Sequence, residues 1–218
     1  MRRKMMQEPV ESRLRPLLPP DWDGVALDAL GAFPRGLAFV QKQWDSGGQD
    51  ARGMHVLGAL AHYPALAKAF LTFNAHVAAG SALARRTREL AILRIAWLRR
   101  TEYEYVQHVV MAKGAGLTDA EIERVRQGAD AAGWQGGEGE IVRAVDEIYK
   151  SGRVADETWR RLSLRFDIQQ LLDLIFAVGC YDMLATVILS LDLPLEPGVP
   201  HLEDSVRARM FSDGVMRP

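Results

Sequence analysis

Apolar residues recur three or four positions apart along most of the chain, a spacing that predicts helices. The stretch 90–98 is apolar on nearly every side of a helix, with Arg94 as its interruption, which is typical of a central buried helix. A polar break around Arg100 ends it, and a second helix is predicted over 102–113. Sustained alternation of apolar and polar residues, the mark of a half-buried strand, is missing from the sequence. The pattern therefore predicts an all-α fold of about eight or nine helices.

Local signals place several of the other helices. A first helix is predicted at about 25–44, although Gly and Pro residues interrupt its pattern. Thr118 and Glu121 form a capping box, in which each side chain bonds the other residue's backbone, so a helix begins there. Two last helices are predicted at about 167–178 and 180–191.

Prolines mark both ends of the helical part. Residues 1–24 are predicted to be an extended N-terminal arm, because their prolines disfavour helix. Residues 25–192 form the predicted all-α domain. Residues 193–218 are predicted to be a Pro-rich C-terminal tail.

Composition narrows the function classes. Of the 218 residues, 48% are hydrophobic and 25% are charged, which is typical of a soluble globular protein. The net charge of -1 gives no support for a nucleic acid or an anionic membrane as partner. The single cysteine, Cys180, excludes an internal disulfide and suits a reducing cytoplasm.

Two features bear on membranes. The N-terminus begins basic but continues with Gln, Glu and Pro instead of an apolar run, so no signal peptide is predicted. The most apolar long stretch, 171–191, contains Asp173 and Asp182, which a bilayer would penalise. It is therefore predicted to be a pair of core helices, and no membrane partner is expected.

The two central helices carry ionisable side chains suited to proton transfer. Glu104 and His108 lie four residues apart and share a helix face, while Glu89 lies on the preceding helix. Glu89 stands eleven residues before Arg100 and His108 eight after it, so an antiparallel hairpin places both at similar depth. A carboxylate beside an imidazole selects its tautomer and raises its basicity, which serves general acid–base catalysis. The residues themselves leave a second interpretation open: a solvated Glu104–His108 pair, with Glu89 bound to a nearby arginine.

The charge of the central helices and the spacing of their polar residues indicate which ligands they could bind. Between Ser81 and Lys113 seven Lys and Arg residues stand against three Glu, and such a basic rim would attract a carboxylate substrate. A metal site is not predicted, because the set has no second, suitably spaced histidine and the chain has no HExxH motif.

The sequence also contains a faint internal repeat. A shift of 78 residues aligns Tyr103 with Tyr181 and Glu104 with Asp182.

The run 88–122, RELAILRIAWLRRTEYEYVQHVVMAKGAGLTDAEI, resembles the carboxymuconolactone decarboxylase family, which also contains alkylhydroperoxidase D. That family has an R-x-E-L opening to a buried helix, an aromatic-rich turn with Glu or Cys, a histidine and a capping segment. The corresponding residues here are Arg86 or Arg88 with Glu89-Leu90, Tyr103-Glu104-Tyr105, His108, and Gly116 through Ile122. The resemblance covers roughly 53–192 and implies an orthogonal helical bundle of the alkylhydroperoxidase D type.

The sequence departs from the peroxidase branch at its two cysteine positions, which hold Thr101 and Glu104 here. Without thiols, peroxide reduction cannot run through the site. The resemblance thus implies the cysteine-free branch and a cofactor-independent decarboxylase that acts on a small carboxylated lactone or aromatic-acid metabolite. It also implies a homotrimer or homohexamer. A hydrolase or isomerase of a related catabolite, or a non-catalytic helical oligomer, are the alternatives.

The family resemblance and the chemistry of the ionisable side chains together predict the site residues. The expected catalytic residues are Glu89, Glu104 and His108. The expected substrate-binding residues are Thr101, Tyr103, Tyr105 and Arg86.

Overall fold

The computed structural model describes residues 12–48 and 51–212, and within these ranges the chain is helical with no strand. The predicted all-α class is therefore confirmed. A 3-10 turn at Pro19–Asp21 and a π-helical turn at His76–Gly80 accompany eleven α-helices in the described ranges. The α-helices are α1 (Gly24–Leu30), α2 (Pro34–Asp45), α3 (Met54–Leu60), α4 (Pro64–Ala75), α5 (Arg85–Leu98), α6 (Glu102–Gly114), α7 (Asp119–Gln127), α8 (Glu138–Ser151), α9 (Asp156–Ser163), α10 (Ile168–Ser190) and α11 (Asp204–Ser212).

Helix α5 is the centre of the fold, as its pattern predicts. Every residue from Arg88 to Ala96 is buried, and the helix packs against α6, α8 and α10. A helix apolar on all sides gains most from burial when other helices cover each face. Leu90, Leu93 and Ile95 accordingly join the largest apolar cluster of the described residues.

The helices differ from the prediction in three places. The helix predicted at 25–44 is split, because Pro34 disfavours a helical backbone at Phe33 and begins a new helix. The pair predicted at 167–178 and 180–191 is one helix, α10. Gly179 lies on its exposed side, and its cost to the helix, about 1 kcal/mol, is outweighed by the apolar burial on either side. The predicted tail contains α11, so the helices outnumber the predicted eight or nine.

The segment before α1 lies on the body of the protein. Trp22 is buried in a second apolar cluster with α1 to α4, and its indole Nε1 donates to the carbonyl of Leu17 at 3.1 Å. Leu17 N in turn donates to Gly58 O at 3.1 Å. A Cβ on Gly58 would lie 2.2 Å from the carbonyl oxygen of Leu17, so this close approach requires glycine. The predicted arm, domain and tail boundaries stay predictions, and 1–11 and 213–218 lie outside the described residues.

A tight turn folds α6 back on α5. Arg100 takes a left-handed conformation (φ 57°), and Thr101 N donates to the carbonyl of Ala96 at 3.0 Å. Just before the turn, Arg99 forms a two-point ion pair with Asp182 of α10, with Nη2–Oδ2 at 2.6 Å. The C-terminal end of α5 therefore lies against the interior of α10, and α5, α6 and α10 together frame the ionisable cluster.

Helix α10 is long and apolar enough to cross a bilayer by length and composition, and 44% of its most apolar window is buried in the protein. Both of its aspartates have partners: Asp182 pairs with Arg99, and Asp173 bonds His76 at 2.9 Å. Core helices pass the same test of length and composition, so the absence of a membrane partner stays a prediction.

Candidate active site

The α5–α6 hairpin brings Glu89 and His108 into contact. His108 Nδ1 lies 2.8 Å from Glu89 Oε2, and both side chains are buried. An ionised carboxylate only accepts hydrogen bonds, so with Glu89 ionised Nδ1 carries the proton and the neutral ring keeps a lone pair on Nε2. Nε2 makes no hydrogen bond with another described residue. This geometry can accept a proton at Nε2 while Glu89 stabilises the imidazolium that results.

Tyr181 of α10 also contacts His108, although it was not among the site residues predicted from the sequence. Its ring packs edge-on against His108, with the ring centroids 4.7 Å apart. Burial, and after it the nearby carboxylate of Glu89, raise the pKa of Tyr181, so the hydroxyl stays a hydrogen-bond donor. The faint repeat that aligned Tyr181 with Tyr103 and the family resemblance, which extends to Tyr181, were the signals in the sequence that pointed to this residue.

Glu104 lies near this group but does not bond to His108, contrary to the expected carboxylate–imidazole–carboxylate cluster. It is 3% exposed, and neither of its oxygens has a hydrogen-bond partner in the described residues. Burial, and then the carboxylate of Asp182, raise its pKa well above the usual range. Glu104 is thus a neutral carboxylic acid over a wider pH range than an exposed glutamate, and it holds a proton that it can give up.

Thr101 lies on the same side of α6, one turn before Glu104. It is fully buried, and its Oγ1 has no hydrogen-bond partner in the described residues. Buried hydroxyls and carboxyls are normally satisfied, and unsatisfied ones concentrate at functional sites. The two positions that hold cysteines in the peroxidase branch therefore hold sealed, unpartnered polar groups here.

The only thiol of the chain lies beside these groups. Cys180 is buried on α10, where Asn74 Nδ2 lies 3.5 Å from its sulfur. Burial raises the pKa of Cys180 to about 11, and the charge of Glu104 acts in the same direction. The group is a protonated thiol at neutral pH, which is a poor nucleophile.

The two tyrosines of the predicted substrate-binding set form hydrogen bonds with residues outside the Glu89–His108 pair. The hydroxyl of Tyr103 donates to Glu196, a buried carboxylate of the C-terminal segment. The hydroxyl of Tyr105 accepts from Arg126 Nε at 2.8 Å. The structure does not bring either hydroxyl to the Glu89–His108 pair, because side chains on different faces of α6 meet different neighbours.

Arg86 is also committed to other partners. Its guanidinium binds Glu121 at 2.5 Å, Glu138 at 2.7 Å and the carbonyl of Gly116 at 2.8 Å. A substrate carboxylate would have to displace two protein carboxylates to reach it. The structure thus places Arg86 in a structural ion-pair network.

Glu89 and His108 are 3% and 6% exposed, so little of the pair meets solvent. A pocket beside Arg13 and Arg99 and another beside Arg86 and Glu138 are not lined by Glu89, Glu104 or His108. Within residues 12–48 and 51–212, no group of three or more His, Cys, Asp or Glu side chains is arranged to hold a metal ion.

Comparisons with known proteins agree with this fold. Residues 64–147 match the profile of the carboxymuconolactone decarboxylase family, whose members are often decarboxylases or peroxidase-like enzymes. The family resemblance inferred from the sequence is confirmed over residues 64–147. The search of curated proteins found no significant match to the chain.

Solved structures share the fold at low sequence identity. An uncharacterised peroxidase-related protein from a Silicibacter species is 16% identical, with a TM-score of 0.64 over 87% of this chain and 94% of that one. A second uncharacterised peroxidase-related protein, with an alkylhydroperoxidase AhpD core, from Ralstonia eutropha is 15% identical, with a TM-score of 0.60 over 82% and 91%. A protein from Agrobacterium tumefaciens, of unknown function and described as an antioxidant-defence candidate of the AhpD type, is 17% identical, with a TM-score of 0.57 over 62% and 94%. These matches show an alkylhydroperoxidase D-like helical fold.

Proposed function

We propose that the protein is a cofactor-independent lyase that removes carbon dioxide from a small carboxylated lactone or aromatic-acid-derived metabolite. The observation that carries this proposal is the buried 2.8 Å bond between Glu89 and His108, which leaves His108 Nε2 without a partner among the described residues. Such a pair moves protons without a metal ion or a thiol. The family match supports the reaction class without specifying the substrate.

The chemistry needs a group that takes up charge and a group that returns a proton. As the carbon–carbon bond to the carboxylate breaks, its electron pair passes into the conjugated lactone carbonyl and CO2 leaves. The hydroxyl of Tyr181 would donate a hydrogen bond to the carbonyl oxygen that becomes negative. Protonated His108 or neutral Glu104 then gives one proton to carbon, so the sum is exchange of CO2 for H⁺ with no redox change.

We also propose that the protein has no thiol peroxidase activity. The positions of the two thiols in the peroxidase branch hold Thr101 and Glu104. The remaining thiol, Cys180, is 1% exposed, and its raised pKa keeps it protonated. A second cysteine, which a disulfide step would need, is missing from the sequence.

The test is release of CO2 from a panel of carboxylated lactones by the wild-type protein and two variants. We expect His108→Ala and Glu89→Gln each to lower kcat by about a hundredfold or more, because general acid–base catalysis contributes about that much. His62→Ala is a matched control, since His62 is exposed and bonds the carbonyl of Arg15. Turnover at wild-type rates in both site variants, or no turnover of any lactone in the panel, would overturn the proposal.

We further propose that the chain assembles as a homotrimer or homohexamer. Helix α10 presents a stripe of exposed apolar side chains, and a stripe of this kind is typical of a surface that another chain covers. Its members are Ile168, Leu172, Phe176, Met183 and Val187. Light scattering should give three or six chains for the wild type and fewer for Phe176→Glu. A monomeric wild type, or one that partitions into lipid vesicles, would contradict this assembly.

A further inference from the structure

Two arginines of α5 are buried to the same degree, yet they differ in their partners. Arg94 is 8% exposed, and it donates to Asp146 at 2.6 Å and to the carbonyls of Val125 and Arg126 at 2.9 Å each. Arg88 is 9% exposed, and its side chain makes no hydrogen bond or ion pair with another described residue. Buried charges in proteins are normally paired. The lack of a partner for Arg88 among the described residues therefore indicates that an anion from outside the chain binds there.

The position of Arg88 links it to the proposed active site. It directly precedes Glu89, whose carboxylate holds His108. The charge of Arg88 also lowers the pKa of Tyr181, against the larger effect of burial, so the two groups interact electrostatically. The ring of Tyr181 in turn packs on His108, with the centroids 4.7 Å apart.

Arg88 differs from Glu104 in its exposure to solvent. Both oxygens of Glu104 are sealed from solvent without a partner in the described residues, whereas Arg88 retains 9% of its exposure. A buried cation without a partner in the described part of the chain is what an empty anion-binding site requires.

We propose that the guanidinium of Arg88 is the subsite that binds the carboxylate of the substrate beside His108. The planar guanidinium offers two parallel N–H donors that match the two oxygens of a carboxylate, which leaves the hydroxyl of Tyr181 for the lactone carbonyl. This inference rests on the proposed function, since it assigns the anion-binding residue of the same site. It also moves that role from Arg86, which two protein carboxylates already occupy, to Arg88.

The experiment measures binding without turnover. Benzoate and its neutral analogue benzamide are titrated by calorimetry into the full-length wild-type protein and into Arg88→Gln, Arg88→Lys and Arg85→Gln. We expect the wild type to prefer benzoate, Arg88→Gln to bind benzoate about tenfold more weakly or worse, and Arg88→Lys to retain part of the preference. Arg85→Gln is the matched control, because Arg85 is an exposed arginine of the same helix. No preference for benzoate in the wild type, or an unchanged preference in Arg88→Gln, would overturn the subsite.

A second measurement uses the wild-type chain, so it tests the proposal even when Arg88→Gln folds poorly. Phenylglyoxal reacts with accessible arginines, and mass spectrometry locates the modified residues. Benzoate should slow modification of Arg88 and leave Arg85 unaffected, whereas benzamide should protect neither. Equal modification of Arg88 with and without benzoate would contradict the proposal.

Different experimental results would contradict the proposed subsite and the proposed reaction. Since binding does not need proton transfer, His108→Ala should keep the preference for benzoate while it loses turnover. When Arg88-dependent binding is present but no lactone is decarboxylated, the reaction is wrong and the subsite stands. When lactones are turned over and Arg88→Gln leaves KM unchanged, the subsite is wrong and the reaction stands.

Discussion

The buried carboxyl of Glu104 leads to a testable prediction about stability. Its two oxygens are sealed from solvent without partners in the described part of the chain, so the folded state bears a desolvation penalty that the unfolded chain does not. Glu104→Met removes both oxygens and retains a side chain of similar length. We therefore expect Glu104→Met to be more stable than the wild type and, if Glu104 supplies a proton, less active.

The magnitude follows from the cost of an unsatisfied buried polar group. That cost is about 1–3 kcal/mol in mutational data, so Glu104→Met should raise the free energy of unfolding by about this amount. For a chain of 218 residues each kcal/mol corresponds to about 2–4 °C in melting temperature, which gives a rise of roughly 2–12 °C. Overpacking by the methionine would reduce the gain.

The sign of the pH dependence follows from the raised pKa of Glu104. Between the ordinary value of 4.5 and the higher folded pKa, the unfolded chain releases the proton and the folded chain keeps it. The destabilisation by Glu104 is therefore smallest below pH 4.5 and grows as the pH rises towards the folded pKa, by about 1.4 kcal/mol per pH unit. Glu104→Met lacks this group, so its advantage over the wild type should grow with pH.

Thermal unfolding followed by circular dichroism at several pH values measures both effects. Glu104→Gln is one control, since it removes the titration but keeps a polar group, and it should abolish only the pH-dependent part. Glu102→Met is the opposite control, because Glu102 accepts from Leu202 N and Arg207 Nε, both at 2.9 Å, and its loss should destabilise the protein. If Glu104→Met unfolds at a lower temperature than the wild type at every pH, the carboxyl has stabilising partners and the reasoning fails.

Three further predictions concern other parts of the molecule. Cys180, with its pKa raised to about 11, should react with iodoacetamide at neutral pH only after unfolding, and rapid labelling of the native protein would contradict its burial. Thr118→Ala should lower the free energy of unfolding by about 1 kcal/mol in chemical denaturation, because it removes one half of a capping box, and an unchanged midpoint would show that the cap is dispensable. Arg86→Met should destabilise the protein at pH 7 by about 1–3 kcal/mol. Its hydrogen bond lowers the pKa of Glu121 to about 2, so this difference should shrink as the pH falls from 4.5 towards 2, and a constant difference in acid titrations would refute the link.

Local sequence signals predicted the features that depend on neighbouring residues. The apolar run 90–98 specified a central helix, because few other placements bury all of its faces. The Thr118–Glu121 capping box formed as expected, since both partners lie within one turn. The distances of Glu89 and His108 from the turn near Arg100 predicted their contact, because an antiparallel hairpin converts sequence distance into depth.

Residue spacing could not predict which face of a helix meets which neighbour. Tyr103 and Glu104 are adjacent, yet the tyrosine bonds Glu196 of the C-terminal segment while the glutamate has no partner within residues 12–48 and 51–212. Adjacent side chains point about 100° apart on a helix, so their surroundings depend on packing between distant segments. Tyr181 entered the site for the same reason, since only the placement of α10 against the hairpin brings it to His108.

The sequence by itself determined the all-α class and the buried hairpin, and it favoured the contact between Glu89 and His108, because periodicity, capping and turn length act over a few residues. Only the tertiary structure decided which charges are left without partners. Arg86 and Arg88 are two residues apart and chemically identical, but the first meets Glu121 and Glu138 while the second meets no described carboxylate. An ion pair joins groups from distant parts of the chain, and its presence or absence appears only when the helices are packed.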